Sequence, residues 1–353
     1  MTIDASRTSD LQFGNLGHHV QAGAFKPDLA RMEVTDYVYG LPIQIQWIYA
    51  FLRGEDGAIY VPERKFISTL TGGLFLMTGE DGTLNINPVS GRGYRGELKR
   101  TLDPEHRRWD QPMYHRMPAG SVPEGEQDFV MDITNERMEY REGNILDLAG
   151  PNAGLGMQFY DSNAENPLFY SSLCYWLEGE VLGDKVEGPI FFDSVYWPHG
   201  RDWKEYVYFR ELQVGWHVFA NKHEDGTVEW GHLVNGHEGF NPGVVIRGNE
   251  LVAATGDLKG SYTLDDDGWV TGQELDVDGH IYVFEGDEKG WMQQFSESRS
   301  HGDNDYRAQY GTTRRLEDPT PAAGFTWLEC FANRIKAEGS EVARLPSIAD
   351  VAV

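Results

Sequence analysis

The residues best equipped for chemistry lie in one stretch, Val186–Trp203, reading Val-Glu-Gly-Pro-Ile-Phe-Phe-Asp-Ser-Val-Tyr-Trp-Pro-His-Gly-Arg-Asp-Trp. It brings carboxylates, an imidazole, a guanidinium, a phenol and two indoles close together, framed by Gly and Pro that interrupt regular structure. Asp193 follows Ile190-Phe191-Phe192, and burial in such surroundings raises a carboxyl pKa and makes a proton donor. Tyr196 and His199 are placed to relay or accept that proton. Arg201 beside Asp202 forms a pair that fixes the loop or binds an oxygen substituent. Trp197 and Trp203, with Trp47, Trp176 and Trp216 from elsewhere, are candidates to line an apolar pocket and steady developing positive charge. Each residue also has a structural reading: Asp193 as a turn cap or ion-pair partner of Arg201, His199 as an exposed loop residue, the indoles as core, and Arg201-Asp202 as a staple.

Around this stretch the chain reads as strands. Ile43-Gln44-Ile45-Gln46-Trp47-Ile48-Tyr49 opens with the alternation of a half-buried strand, and Gly54-Glu55-Asp56-Gly57 turns it into a hairpin ending at Val61. Short aromatic and β-branched runs recur at Gly73–Met77, Phe129–Ile133, Leu155–Tyr160, Phe169–Leu177, Tyr206–Leu212, His217–Ala220, Val244–Arg247 and His280–Phe284. Acidic-Gly turns separate many of them, a rhythm that predicts a sandwich or barrel. Ile133–Arg141 and Trp327–Lys336 fit a short helix or a strand. Asp103–Glu126, with four prolines, predicts a surface loop or a lid.

Composition narrows the partners. A net charge of −26 opposes a nucleic-acid partner, which needs a basic footprint. No apolar run is long enough to span a bilayer as a helix, and Met1–Asp10 does not read as an export signal. A cytoplasmic setting is expected, in keeping with two distant cysteines, Cys174 and Cys330, that read as buried free thiols. A homodimer is compatible with the sequence. The second half carries His217, His223, His232, His237 and His280 with Glu229 and Glu238, but without His-x-His spacing, so no metal is expected. Asp265-Asp266-Asp267-Gly268 and Asp276-Val277-Asp278-Gly279 read as hairpin turns rather than calcium loops.

The order Val186, Gly188, Asp193, Trp197, Gly200, Arg201, Asp202, Trp203 resembles the carotenoid 1,2-hydratase (CrtC-like) and AttH-like superfamily of paired lipocalin-like barrels. Pro198-His199 and Tyr196 depart from the family's pattern. The resemblance implies an all-β chain of two lipocalin-like antiparallel β-barrel or sandwich domains, with a small hydrophobic molecule held at or between them. The expected division is an N-terminal arm at 1–26, domains at 27–195 and 196–337, and a tail at 338–353. The function expected is cofactor-independent acid-base conversion, by hydration, dehydration, isomerisation or cyclisation, of an oxygenated terpenoid, steroid or aromatic compound. The alternatives are a non-catalytic carrier of such ligands and a carbohydrate-active hydrolase or lyase, the latter from paired acids and tryptophans.

Overall fold

The computed structural model describes residues 20–27, 37–67, 70–87, 92–95, 99–100, 106–115, 128–163, 165–200, 202–203, 205–292 and 306–335. Among these the chain is all-β, in two antiparallel sheets, one of 17 strands and one of nine. Most of the first sheet returns on itself. The pairings run from Asp184–Tyr196 through Leu41–Ala50 and Ile59–Ile67, then by way of Arg92–Arg95, His106–His115, Asp128–Thr134, Arg137–Glu142 and Leu146–Pro151 to Leu168–Val181, which pairs with Asp184–Tyr196 again. The second sheet, from Gln213–Lys222 to Ala323–Phe331, curls without such a return.

The hairpin Leu168–Val181 and Asp184–Tyr196 forms the wall between the two sheets. Its register runs unbroken from Val181↔Asp184 to Phe169↔Tyr196. The turn is Leu182-Gly183, both at positive φ (54° and 92°), the two-residue geometry that matches strand twist. At Gly188 the carbonyl oxygen of Phe51 lies 2.0 Å from where a Cβ would stand, so a side chain there would collide with backbone.

Alternation sorts the side chains of this wall into two cores. Leu173, Tyr175, Leu177, Ile190 and Phe192 point into the first barrel with Ile48, Phe75, Phe129 and Tyr140. Tyr170, Cys174, Trp176, Phe191 and Val195 point the other way, into a seam shared with Val218, Trp230, Val234 and Trp327 of the second sheet. The second sheet repeats the pattern: Phe219 and Leu233 fill its own interior with Tyr282, while Trp216 packs on the seam.

Several expectations differ in detail. Val20–Phe25, expected in an arm, is a strand paired with Gly156–Asp161, and 1–19 and 338–353 lie outside the described residues. Within Asp103–Glu126, His106–His115 is a strand that belongs to the closed ring of pairings. Tyr206–Leu212, expected as a strand, holds instead a wide helical turn at Tyr208–Leu212 that carries the chain between the sheets. Tyr206 and Tyr208 donate through their hydroxyls to the carbonyls of Pro167 and Asn166, both at 2.7 Å, so these residues brace the crossing and do not pair edge to edge. Ile133–Arg141 resolves as a hairpin, and Trp327–Lys336 as the end of a strand followed by the turn Ala332–Ile335. Both acidic-Gly segments are turns, with Asp265 and Asp276 side chains accepting from Trp269 and Gly279 amides at 2.8 and 2.7 Å.

Inside the first barrel, Arg64 and Glu142 form a fully buried two-pronged pair, Nε to Oε1 at 2.7 Å and Nη2 to Oε2 at 2.8 Å, and Tyr140 donates to the same carboxylate. Removing one partner strands a charge. Glu142→Ala is expected to lower stability in urea unfolding by about 3–5 kcal/mol, whereas Arg64→Met with Glu142→Leu recovers most of it.

Candidate functional site

The seam between the sheets does not close completely. It leaves a cavity of about 540 Å³ bordered by Trp47, Tyr49, Glu63, Lys65, Tyr170, Asp193, Trp197, Trp203, Gln213, Trp216, Trp327 and Glu329, among other residues. Two rows of paired residues build its facing walls. Across the first sheet, Ser172, Asp193, Trp47 and Lys65 stand side by side in register. Across the second, Val234, Trp216, Glu329 and Ala308 do the same.

Asp193 is 4% exposed, and among the described residues no cationic side chain pairs with it. Tyr170 donates to its Oδ2, and His232 Nδ1 lies 3.3 Å from the Tyr170 hydroxyl. Among the described residues none makes a hydrogen bond of good geometry to Oδ1. Burial pushes the Asp193 pKa up to about 7; Ser172, Tyr170 and Tyr49 pull it down, and the negative charge of Glu329 adds to the rise. Burial also drives His232 down to about 3, so its ring is neutral. Glu329 is raised to about 6 by burial and then by Glu63, against the pull of Trp327, Tyr306 and Lys65. Near neutral pH the cavity therefore holds one carboxyl poised to give a proton and a second that is mostly ionised.

Aromatic faces supply much of the remaining wall. Trp47 and Trp203 meet edge to face at 6.4 Å, with the Lys65 ammonium 5.7 and 4.8 Å from their ring centroids. Trp197 stacks on Tyr206 at 5.5 Å, and Tyr170 meets Trp216 at 5.0 Å.

Of the residues singled out from the sequence, Asp193, Trp47, Trp197, Trp203 and Trp216 border this cavity. Tyr196 does not. Its neighbours in sequence, Val195 and Trp197, border the cavity, and Tyr196 points to the opposite face, packed on Phe169 and Leu41. His199 is exposed, its Nδ1 3.3 Å from Gln44 Nε2. The proton relay expected through these two is thus absent from the cavity wall, because strand alternation turns one away and the Pro198 corner carries the other outward. Trp176 lies along a second cleft, with Nε1 donating to Glu187 at 3.0 Å and Lys222 Nζ 5.3 Å from its ring centroid. Asp202 is exposed beside the cavity-lining Trp203, and Arg201 lies outside the described residues.

Sequence reading missed Tyr49, Glu63, Lys65, Tyr170 and Glu329. The first three carried a usable signal, since alternation from Trp47 includes Tyr49, and Glu63 and Lys65 follow a hairpin that returns beside it. Nothing local marks Tyr170 or Glu329.

In the second sheet His223, Glu229 and Asp318 bring ligand-type atoms within 4.8 Å of one another. Asp318 Oδ2 already accepts from Arg315 at 2.6 Å and Arg247 at 3.2 Å, so guanidinium charge stands where a cation's would be needed.

No family model matches the chain, and no curated protein matches it. Among solved structures, it is similar to a putative AttH from Nitrosomonas europaea (TM-score 0.44, 11% identity, 84% of this chain and 94% of that one). It is also similar to CghA solved with Sch210972 (0.42, 10%, 89% and 99%) and to kievitone hydratase from Nectria haematococca (0.37, 11%, 87% and 98%). Likenesses of this strength leave the chemistry to be argued from the cavity itself.

A carboxyl whose folded pKa is raised from 3.8 to about 7 favours the folded state while it is protonated, and that advantage is lost as pH rises through the folded value. Asp193→Asn removes the penalty, so it is expected to stabilise the protein at pH 8 by on the order of 3 kcal/mol and to change little at pH 4, read from urea midpoints at the two pH values.

Proposed function

We propose that the chain is a member of the AttH and CrtC-like superfamily, with the two sheets as two lipocalin-like domains meeting near residue 196. In this reading it converts a hydrophobic, oxygenated small molecule by proton transfer from Asp193. The observation that carries the reading is a nearly fully buried carboxyl with its Oδ1 unpartnered, opening on an aromatic-lined cavity. Two buried free thiols support the cytoplasmic setting expected from sequence.

Protonated at Oδ1, Asp193 gives its proton to an alkene carbon: the O–H bond breaks, a C–H bond forms, and positive charge develops on the neighbouring carbon. Trp47, Trp197 and Trp216 border the space that charge would occupy, and aromatic faces stabilise cations by their quadrupoles. The Tyr170 hydroxyl, already donating to Oδ2, stabilises the carboxylate left behind. Water then adds to the cation and gives up a proton, an internal nucleophile closes a ring with loss of a proton, or a neighbouring carbon loses a proton, in each case back to the Asp193 carboxylate; these outcomes correspond to hydration, cyclisation and isomerisation. Run backward, the same steps dehydrate.

Native mass spectrometry of the protein as purified tests for a retained ligand, and a panel of terpenoid and aromatic alkenes tests for turnover. The rate is expected to fall as pH rises through about 7, because only protonated Asp193 donates. Asp193→Asn is expected to keep ligand binding and to lose roughly 10²–10⁴-fold in rate. Wild-type turnover by that variant would remove Asp193 from the mechanism. A ligand retained without turnover of any panel member would favour the carrier.

A further inference from the structure

The charges lining the cavity do not balance. Among the described residues its carboxyl groups are Glu63, Asp193 and Glu329, and against them these residues set a single ammonium, Lys65, and no guanidinium. Lys65 is already engaged by Glu63, Nζ to Oε1 at 3.4 Å. The direct partners of Glu329 are neutral: Trp327 Nε1 at 3.3 Å and the Tyr306 hydroxyl. Half-buried anions facing one cavity raise each other's energy, and a cation placed among them relieves the repulsion.

The wall also shows that it accepts an ammonium. The edge-to-face pair of Trp47 and Trp203 seats the Lys65 ammonium at 5.7 and 4.8 Å from the ring centroids. Trp327 and Tyr306 offer further aromatic surface around Glu329. Aromatic faces together with a carboxylate that no cation contacts directly form a receptor for organic cations, whereas a neutral ligand leaves the Glu329 charge answered only at a distance, by Lys65.

We propose that the ligand of this cavity is a hydrophobic cation, an alkylammonium or quaternary ammonium on an aromatic or terpenoid skeleton, received by Glu329 with Glu63. The inference rests on reading the cavity as the ligand site and specifies the chemical class that enters it. It also links binding to the reaction. The negative charge of Glu329 is one of the causes that hold the Asp193 proton, so a cation beside Glu329 makes Asp193 a stronger acid once the ligand is in place.

The test compares phenyltrimethylammonium with its uncharged isostere tert-butylbenzene on the full chain, followed by quenching of tryptophan fluorescence. Neither probe titrates, so any pH dependence belongs to the protein. The groups facing the bound charge are Glu63 and Lys65, Asp193, Tyr49, Tyr170, Tyr306 and Glu329. At pH 8 the cation is expected to bind at least tenfold tighter than the isostere. That ratio should shrink toward pH 5 as Glu329 and Asp193 take up protons, whose pKa values lie near 6 and 7. It should persist in 0.5 M NaCl, where attraction to a chain of net charge −26 is screened. Glu329→Gln is expected to lose most of the preference. Glu63→Gln, at a side chain only 26% exposed but lying nearer solvent, is expected to reduce it and guards against a folding defect in the first variant.

Equal or tighter binding of tert-butylbenzene overturns the cationic ligand while leaving the cavity as a binding site, as does a preference unchanged in both variants. If neither probe binds, and Ala308→Phe beside Glu329 alters nothing, the cavity is no ligand site and both readings fall.

Discussion

The structure depends on strands that are buried on both faces. Leu168–Leu177 and Gly188–Tyr196 have the first barrel's core on one side and the second sheet on the other, so alternate residues are committed to each. Only toward the turn, at Glu178, Glu180, Asp184, Lys185 and Glu187, does the wall reach solvent; along the rest no solvent face receives a polar side chain cheaply. A carboxyl at position 193 is therefore held in apolar surroundings by the register itself, and its raised pKa follows from where it stands.

The seam and the barrel interiors handle buried polarity differently. Arg64 and Glu142 neutralise each other within the first barrel. In the second, His217 is held by Gln273 at 2.9 Å through Nδ1 and by Thr313 at 2.9 Å through Nε2, while Thr326 extends the network to Thr313. Partnered groups of this kind specify a core arrangement. Among the described residues, Asp193 Oδ1, Gln213 Nε2 and His232 Nε2 in the seam lack hydrogen-bond partners, and so do the Tyr175 and Tyr282 hydroxyls in the barrel interiors. Unsatisfied buried polar groups cost free energy. What sets the seam apart is that the unpartnered atoms of Asp193 and Gln213 border a cavity.

The two sheets contribute unequal parts. The first supplies Asp193, Tyr170, Trp47 and Lys65 from paired neighbouring strands, a rigid platform on which relative positions are set by backbone hydrogen bonds. The second supplies Glu329 and Trp216, and the crossing between them adds Trp197, Trp203 and Tyr206. The tyrosine hydroxyls that brace this crossing on Pro167 and Asn166 tie it back to the first sheet, so the cavity's rim is anchored to the same strands that carry the acid.

What could be read from sequence is what local pattern encodes. Alternation and acidic-Gly turns identify the strands, and the preceding Ile190-Phe191-Phe192 marks Asp193 as a buried carboxyl. Among the described residues no helix is long and apolar enough to cross a membrane, as the sequence pattern led one to expect. The facing of Tyr196 was legible in principle, since it is an odd step from Asp193, but proximity in sequence outweighs alternation when a motif is dense. Tertiary structure alone decided that Tyr170, 23 residues before Asp193, holds its carboxyl, and that Glu329 stands across the cavity. Cross-strand and cross-sheet neighbours are chosen by register and packing, which no short window of sequence contains. The hollow itself is a property of two surfaces that meet, and neither surface carries it alone.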